Sequence, residues 1–296
     1  MNGPKLVAEV SSNHHRDRER CLRFVDVAAE CGCQAIKFQQ FRVRELFHET
    51  ALQYNPALRE REAWELPEEF NAEIAARAHA RGIEFASTPF YWRAIDVLAP
   101  LVDFFKLASY QILWLDFLAE VAARGRPVVL STGMATLDEV AEAVDAIVAA
   151  GCDDLTLLHC VSTYPTPVAQ ANLRAIGTLR EAFGRPAGWS DHTVDVETVV
   201  RAVKKHGAEL VEFHFDLDGK GAEFSGRHCW LPAGVRALQA ALADAAPPPP
   251  AHPSDGDGRK VPRAGEADER LWRSDPSDGR RPLREKRREL RAGGAR

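Results

Sequence analysis

Two lysines sit where lysine is seldom found. Lys37 lies in AIKFQ and Lys106 in FFKLAS, each flanked by apolar residues. A buried ammonium needs an anion or a polar cavity beside it. Hydroxyls at Thr88, Ser109, Ser131 and Ser190 close comparable short runs. Two ammonium groups among several hydroxyls could cradle a phosphate and a carboxylate, pointing to a small, multiply anionic substrate. Pairing with a carboxylate such as Glu9, or a Schiff base, are the competing uses of these lysines. A second chemistry comes from His192, just after GWSD, and His214 in EFHF. Each alone would serve as a hydrogen-bonded residue at a strand end. Together they could share one divalent cation, with Glu9, Asp191, Glu212 and Glu223 near enough to orient ligands or move protons. That set suits a metal-assisted carbonyl reaction. His159, inside LLHC, reads as a structural or pocket-lining residue.

Elements able to bring these residues together recur along the chain. Short aliphatic or β-branched runs at 5–13, 35–41, 83–90, 104–109, 127–132, 155–160, 186–191 and 210–215 alternate with amphipathic stretches, several closing on glycine. Near-continuously apolar strands separated by helices imply a parallel sheet. Eight such units in about 240 residues predict a (β/α)8 TIM barrel, whose active site lies at the C-terminal strand ends. The reactive side chains above fall at those ends. A doubly wound open sheet is the alternative, but neither GxGxxG nor GxxxxGK[ST] opens a helix.

Composition is that of an ordinary globular chain, 45% hydrophobic and 27% charged. No apolar run is long enough to span a bilayer and no signal peptide is evident, so neither a membrane nor secretion is expected. The six cysteines are scattered through apolar contexts, which predicts reduced core thiols in a cytoplasmic protein. The net charge of −5 conceals a split. Residues 247–296 carry thirteen Lys and Arg against nine Asp and Glu, beginning with PPPP. This segment is expected to be a disordered or loosely docked extension of a barrel domain spanning 1–246. No nucleic-acid partner is expected.

The segments AEVSSNH, IKFQ, STPF, FKLAS, PVVLSTGMAT, LLHCVSTYPTPVAQANL, GWSDHT and EFHFDLD together resemble the N-acetylneuraminate (sialic acid) synthases across about residues 5–235. The resemblance implies condensation of phosphoenolpyruvate with an N-acyl-mannosamine-type sugar, with Mn²⁺ or Mg²⁺ in the site. By motif, Lys37, Thr88, Lys106, Ser109, Ser131, Ser162 and Ser190 resemble the phosphoenolpyruvate cradle. His192 and His214 resemble the metal ligands, and Glu9, Tyr164 and Glu223 the sugar side. Asp191 is expected to orient His192 or handle a proton. A homodimer is also implied.

The departures from the family pattern cluster on the sugar side. AEVSSNHHR lacks two glycines of the usual motif, Gln111 stands where an acid is common, and GAE replaces GPD. Family members continue into a small antifreeze-like domain, which residues 247–296 do not resemble. A binding paralogue without turnover and a Schiff-base aldolase are the alternatives.

Overall fold

The computed structural model describes residues 3–293. Eight parallel strands close into a barrel in chain order, and the last pairs with the first. They are β1 (Lys5–Glu9), β2 (Ala35–Gln40), β3 (Glu84–Pro89), β4 (Phe104–Leu107), β5 (Val128–Ser131), β6 (Leu155–Cys160), β7 (Ala187–Asp191) and β8 (Leu210–His214). A helix follows each strand, as the alternation of apolar runs with amphipathic stretches predicts. The chain is therefore a (β/α)8 TIM barrel.

Strand parity sorts the side chains. Residues two apart share a face, and Val7, Ala35, Ala86, Phe104, Val129, Leu158 and Leu210 form one buried apolar cluster. Two residues further along the same faces come Glu9, Lys37, Thr88, Lys106, Ser131, Cys160 and Glu212. The barrel interior thus has an apolar floor with a polar layer above it at the C-terminal end. Alternate residues, such as Leu6, Ile36, Phe105, Leu130, Leu157 and Phe213, belong to the larger cluster between sheet and helices. Only glycine fits at 188, where a Cβ would lie 2.1 Å from the Leu210 carbonyl oxygen of the neighbouring strand.

Two regions depart from the simple alternation. Between β2 and β3 the chain makes an excursion through short helical turns, including Val43–Leu46, Glu49–Tyr54 and Pro56–Trp64. These pack a separate cluster of Phe41, Val43, Leu46, Phe47, Ala51, Leu52, Leu58 and Phe90.

The other is the C-terminal segment, which docks on the barrel. It contributes no apolar cluster of its own, as its composition predicts, and is held mainly by polar contacts. Arg201, fully buried in the helix Val196–Lys204, grips Asp255 with two hydrogen bonds of 2.6 and 2.7 Å. Lys205 and His206 add contacts of 3.0 and 2.8 Å to the same carboxylate. Glu266 accepts the backbone N–H groups of Met134 (2.9 Å) and Ser162 (2.7 Å), tying down the loops after β5 and β6. Arg270 and Arg273 both pair with Glu139. Further on, Arg281 joins the excursion in strand fashion: its N–H donates to Leu46 and its carbonyl accepts from His48, both at 2.8 Å. No helix among the described residues is long and apolar enough to cross a membrane.

Candidate active site

A cavity of about 540 Å³ opens at the C-terminal end of the barrel. Its base is a quartet of alternating charge. Lys37 Nζ lies 2.6 Å from Glu9 Oε2 and 3.7 Å from Glu212 Oε1, while Lys106 Nζ lies 3.5 Å from Glu212 Oε1. Parity puts all four on the inner face of neighbouring or near-neighbouring strands, and all four are buried. Burial opposes every charge. For Lys37 the two carboxylates more than offset it, and its pKa stands above the ordinary value. Lys106 has one nearby carboxylate and a lysine neighbour, so burial wins and its pKa falls. Burial likewise raises Glu9, although Lys37 pulls against it. Glu212 is also penalised by burial, but two ammonium groups hold it below its usual range. The acid–base properties of the quartet are therefore split by geometry, one carboxylate up and the other down.

Hydroxyls ring this base. Thr88 accepts from Lys37 Nζ at 3.3 Å. Ser109 accepts the backbone N–H of Gly133 at 2.9 Å. Ser131 and Ser162 have buried hydroxyl oxygens without a hydrogen-bond partner. These groups converge where the chain has no side chain: a Cβ on Gly133 would lie 2.3 Å from Ser162 Oγ and 2.9 Å from Ser109 Oγ. Ser109, Ser131 and Ser190 line the cavity itself, whereas Thr88 and Ser162 sit behind its wall.

The imidazoles lie beside the quartet. His192 and His214 have ring centroids 5.4 Å apart, and Tyr164 packs on His192 at 4.3 Å. His192 Nδ1 donates to the Val161 carbonyl at 2.8 Å, a tautomer that leaves Nε2 as a lone-pair donor. Burial, and then the neighbouring His214, push the His192 pKa well down. His214 Nδ1 lies 3.1 Å from Glu223 Oε2, and that carboxylate raises the His214 pKa against the effect of burial. Glu223 is held far below the usual range despite its burial, because His214 and Ser11 hydrogen-bond to it and the His228 imidazole lies close by.

A third histidine was not legible in the sequence. His228 Nε2 lies 3.7 Å from Glu223, and its ring packs 4.7 Å from His214. His228 falls in the irregular stretch GRHCW after β8, where no periodicity indicates the direction of a side chain. The donor atoms of His214, Glu223, His228 and Cys229 all lie within 4.8 Å of one another. Burial pushes the Cys229 thiol up to about 12, leaving the histidines and Glu223 as the competent donors. Imidazoles beside a carboxylate, open to a cavity, fit a catalytic divalent cation.

Asp191 is placed elsewhere. It follows Ser190 by one residue and so points to the opposite face of β7. Its carboxylate accepts from the indoles of Trp189 and Trp230, the Thr193 hydroxyl, and the backbone N–H groups of Thr193 and Val194. It braces the loop that carries His192 and does not line the cavity. Glu9 lines the cavity but is already engaged, by Lys37 and by Gln39 at 2.7 Å. His159 lies on the outer face of β6 against Trp189, with Nε2 2.9 Å from the Ala171 carbonyl. All six cysteines are free and buried.

The upper wall comes from the β2–β3 excursion and the C-terminal segment, through Phe47, Leu58, Arg61, Trp64, Trp272 and Arg281. The last two lie in the segment that composition alone left outside the functional unit.

The chain is 39% identical over 214 residues to an uncharacterised protein of Methanocaldococcus jannaschii, covering 72% of this chain and 62% of that one. It is 32% identical over 231 residues to the N,N'-diacetyllegionaminic acid synthase of Campylobacter jejuni, covering 74% and 69%. The crystal structure of N-acetylneuraminic acid (sialic acid) synthetase from Leptospira borgpetersenii, in complex with citrate, superposes with a TM-score of 0.73. That match has 29% identity and covers 90% of each chain. Residues 24–246, which hold every cavity residue named above except Glu9, Ser11 and those of the C-terminal segment, match the NeuB family, and the chain belongs to that family.

Proposed function

We propose that this barrel condenses phosphoenolpyruvate with the open-chain aldehyde of an N-acyl-mannosamine-type amino sugar. The products are a sialic-acid-like nonulosonate and inorganic phosphate, and the enzyme acts in the cytoplasm. The observation that carries this reading is the meeting, in one cavity, of two buried lysines, converging hydroxyls and a histidine–carboxylate cluster. Names among the relatives support it, since N,N'-diacetyllegionaminic acid synthase and sialic acid synthetase both denote makers of nonulosonates.

In this reading phosphoenolpyruvate lies over the quartet. Lys106 and Lys37 face its carboxylate and phosphate, and the hydroxyls of Ser109, Ser131 and Ser190 donate to its remaining oxygens, with Thr88 holding Lys37 and Ser162 backing the hydroxyls from behind the wall. Charge develops and moves during the reaction, and donors fixed by a folded barrel stabilise it without reorganising. His192 and His214, with Glu223 and His228 alongside, would hold Mn²⁺ or Mg²⁺. A bound divalent cation supplies Lewis acidity that polarises the acceptor carbonyl. Carbon 3 of phosphoenolpyruvate attacks the aldehyde carbon, and the new alkoxide takes a proton. Water then adds to the oxocarbenium-like C2, losing a proton to a carboxylate. The tetrahedral intermediate expels phosphate by breaking the C–O bond. Glu9, raised by burial and ion-paired with Lys37, is the carboxyl suited to hand protons on at these steps. The acceptor's N-acyl and hydroxyl groups would meet Glu223 and Tyr164.

The test is phosphate release from phosphoenolpyruvate across a panel of N-acyl amino sugars, with and without Mn²⁺. Release that requires both an acceptor and the metal is the expected result. Metal-independent cleavage trapped by borohydride would instead mark a Schiff-base aldolase, and silence throughout would mark a binding protein.

A further inference from the structure

One cation in the cavity wall has no ion-pair partner among the described residues. Arg281 is only 8% exposed, yet its Nε has no hydrogen-bond partner. No carboxylate among the described residues lies within 4 Å of its guanidinium, whereas Arg273 and Arg287, the other buried arginines of the C-terminal segment, each hold one. The guanidinium carbon stacks 4.0 Å from the ring centre of Tyr110 and 5.3 Å from that of Phe90. Its backbone is pinned on both sides, to Leu46 and His48, so the side chain is presented from a fixed point. Arg61, from the β2–β3 excursion, lies nearby on the same wall, stacked over Phe47 and Trp64. It too has no carboxylate within 4 Å among the described residues. Glu269, on the same wall, accepts from the Tyr110 hydroxyl at 2.6 Å and acts on Arg281 only at longer range, beyond ion-pair distance.

A buried cation without a counter-ion is unfavourable in a finished fold. Burial lowers the Arg281 pKa to about 10, so the group stays charged at neutral pH without an internal partner. The planar fork of a guanidinium matches an oxyanion with two parallel hydrogen bonds. The side chain that stacks on Tyr110 also lines the cavity.

We propose that Arg281, assisted by Arg61, is the subsite for an oxyanion substituent of the acceptor, a phosphate or a carboxylate, at the end away from the reacting carbonyl. The C-terminal segment then supplies a specificity-determining residue to its own barrel. This rests on the condensation reading above, which assigns the base of the cavity to phosphoenolpyruvate and leaves the upper wall to the acceptor.

The experiment compares N-acetylmannosamine with N-acetylmannosamine 6-phosphate in the full chain, in wild type, Arg281→Gln and Arg281→Lys. Phosphate release and calorimetric binding are measured in parallel. The wild type should favour the phosphorylated sugar by about tenfold or more in kcat/KM and in Kd, the scale of one charge-assisted pair. Arg281→Gln should abolish the preference by raising the acceptor KM, while the KM for phosphoenolpyruvate stays within about twofold, and Arg281→Lys should restore part of it. Equal use of both sugars by the wild type overturns the proposal. So does a loss in Arg281→Gln that falls equally on both, since that marks a structural role. If no acceptor turns over, the condensation reading fails. Calorimetry still decides the subsite: tighter binding of the sugar phosphate that Arg281→Gln weakens upholds it, and no such difference overturns it.

Discussion

Lys37 Nζ lies 2.6 Å from Glu9 Oε2 on the adjoining strand, so the lysine at the base of the cavity is one half of a buried ion pair. Removing one partner of such a pair strands the other. Lys37→Met leaves Glu9 and Glu212, on the paired strands β1 and β8, with Lys106 alone to balance them. Breaking a buried pair on one side typically costs about 3–5 kcal/mol, so thermal stability should fall as well as activity. The double change Lys37→Met with Glu9→Gln should recover most of the melting temperature and none of the phosphate release. Recovery of turnover in the double variant would remove Lys37 from the chemistry.

A methyl group at residue 133 should act chiefly on the anion site. The Cβ of Gly133→Ala would press on Ser162 Oγ and Ser109 Oγ at 2.3 and 2.9 Å. Overpacking on this scale costs about 1–3 kcal/mol. The KM for phosphoenolpyruvate should rise about tenfold, with a smaller change in the KM for acceptor. Steady-state kinetics with each substrate varied in turn measures the split.

His228 makes a prediction about metal affinity. If it joins His192, His214 and Glu223 around the cation, His228→Ala should weaken Mn²⁺ binding by about 10–100-fold. Competition against a fluorescent chelator, on protein stripped of metal, reads this without reference to turnover. His192→Ala and His214→Ala should weaken binding more. Unchanged affinity in His228→Ala would reduce that residue to a partner of Glu223.

Acid should loosen the C-terminal segment. The hydrogen bonds from Arg201 hold the Asp255 carboxyl far below the usual carboxylate range. Its contribution is therefore complete above the unfolded value of about 4 and is lost as pH falls further. Burial keeps His206 below its ordinary value, so protonating it also opposes docking, beginning near about pH 6. Hydrogen exchange across 247–293 should rise slightly below pH 6 and steeply below pH 4. Asp255→Asn should show fast exchange already at neutral pH.

The barrel and most of the cavity are readable from local pattern. Eight apolar runs, each ending in polar residues, determine the fold class, and period-two parity along each strand decides which side chains face inward. Parity also accounts for Asp191: one step from inward-facing Ser190 it must face out, a consequence the strand pattern already contains. His228, Arg61 and Arg281 are different. They sit on irregular segments whose placement depends on distant partners. Arg281 reaches the cavity because Asp255 finds Arg201 and Glu266 finds the N–H groups of Met134 and Ser162. Composition marks such a segment as short of apolar surface, and charge pairing across the fold does not show in local sequence.

Phosphoenolpyruvate carrying ¹⁸O at its bridging oxygen tests the central claim most directly. The protein is incubated with this substrate, Mn²⁺ and a panel of neutral and phosphorylated N-acyl-mannosamine-type acceptors, and the released phosphate is weighed by mass spectrometry. The account predicts unlabelled phosphate to be absent above background: acceptor-dependent phosphate should retain the bridging ¹⁸O, in step with nonulosonate formed. Release that ignores the acceptor, or phosphate that has lost the label, would contradict it.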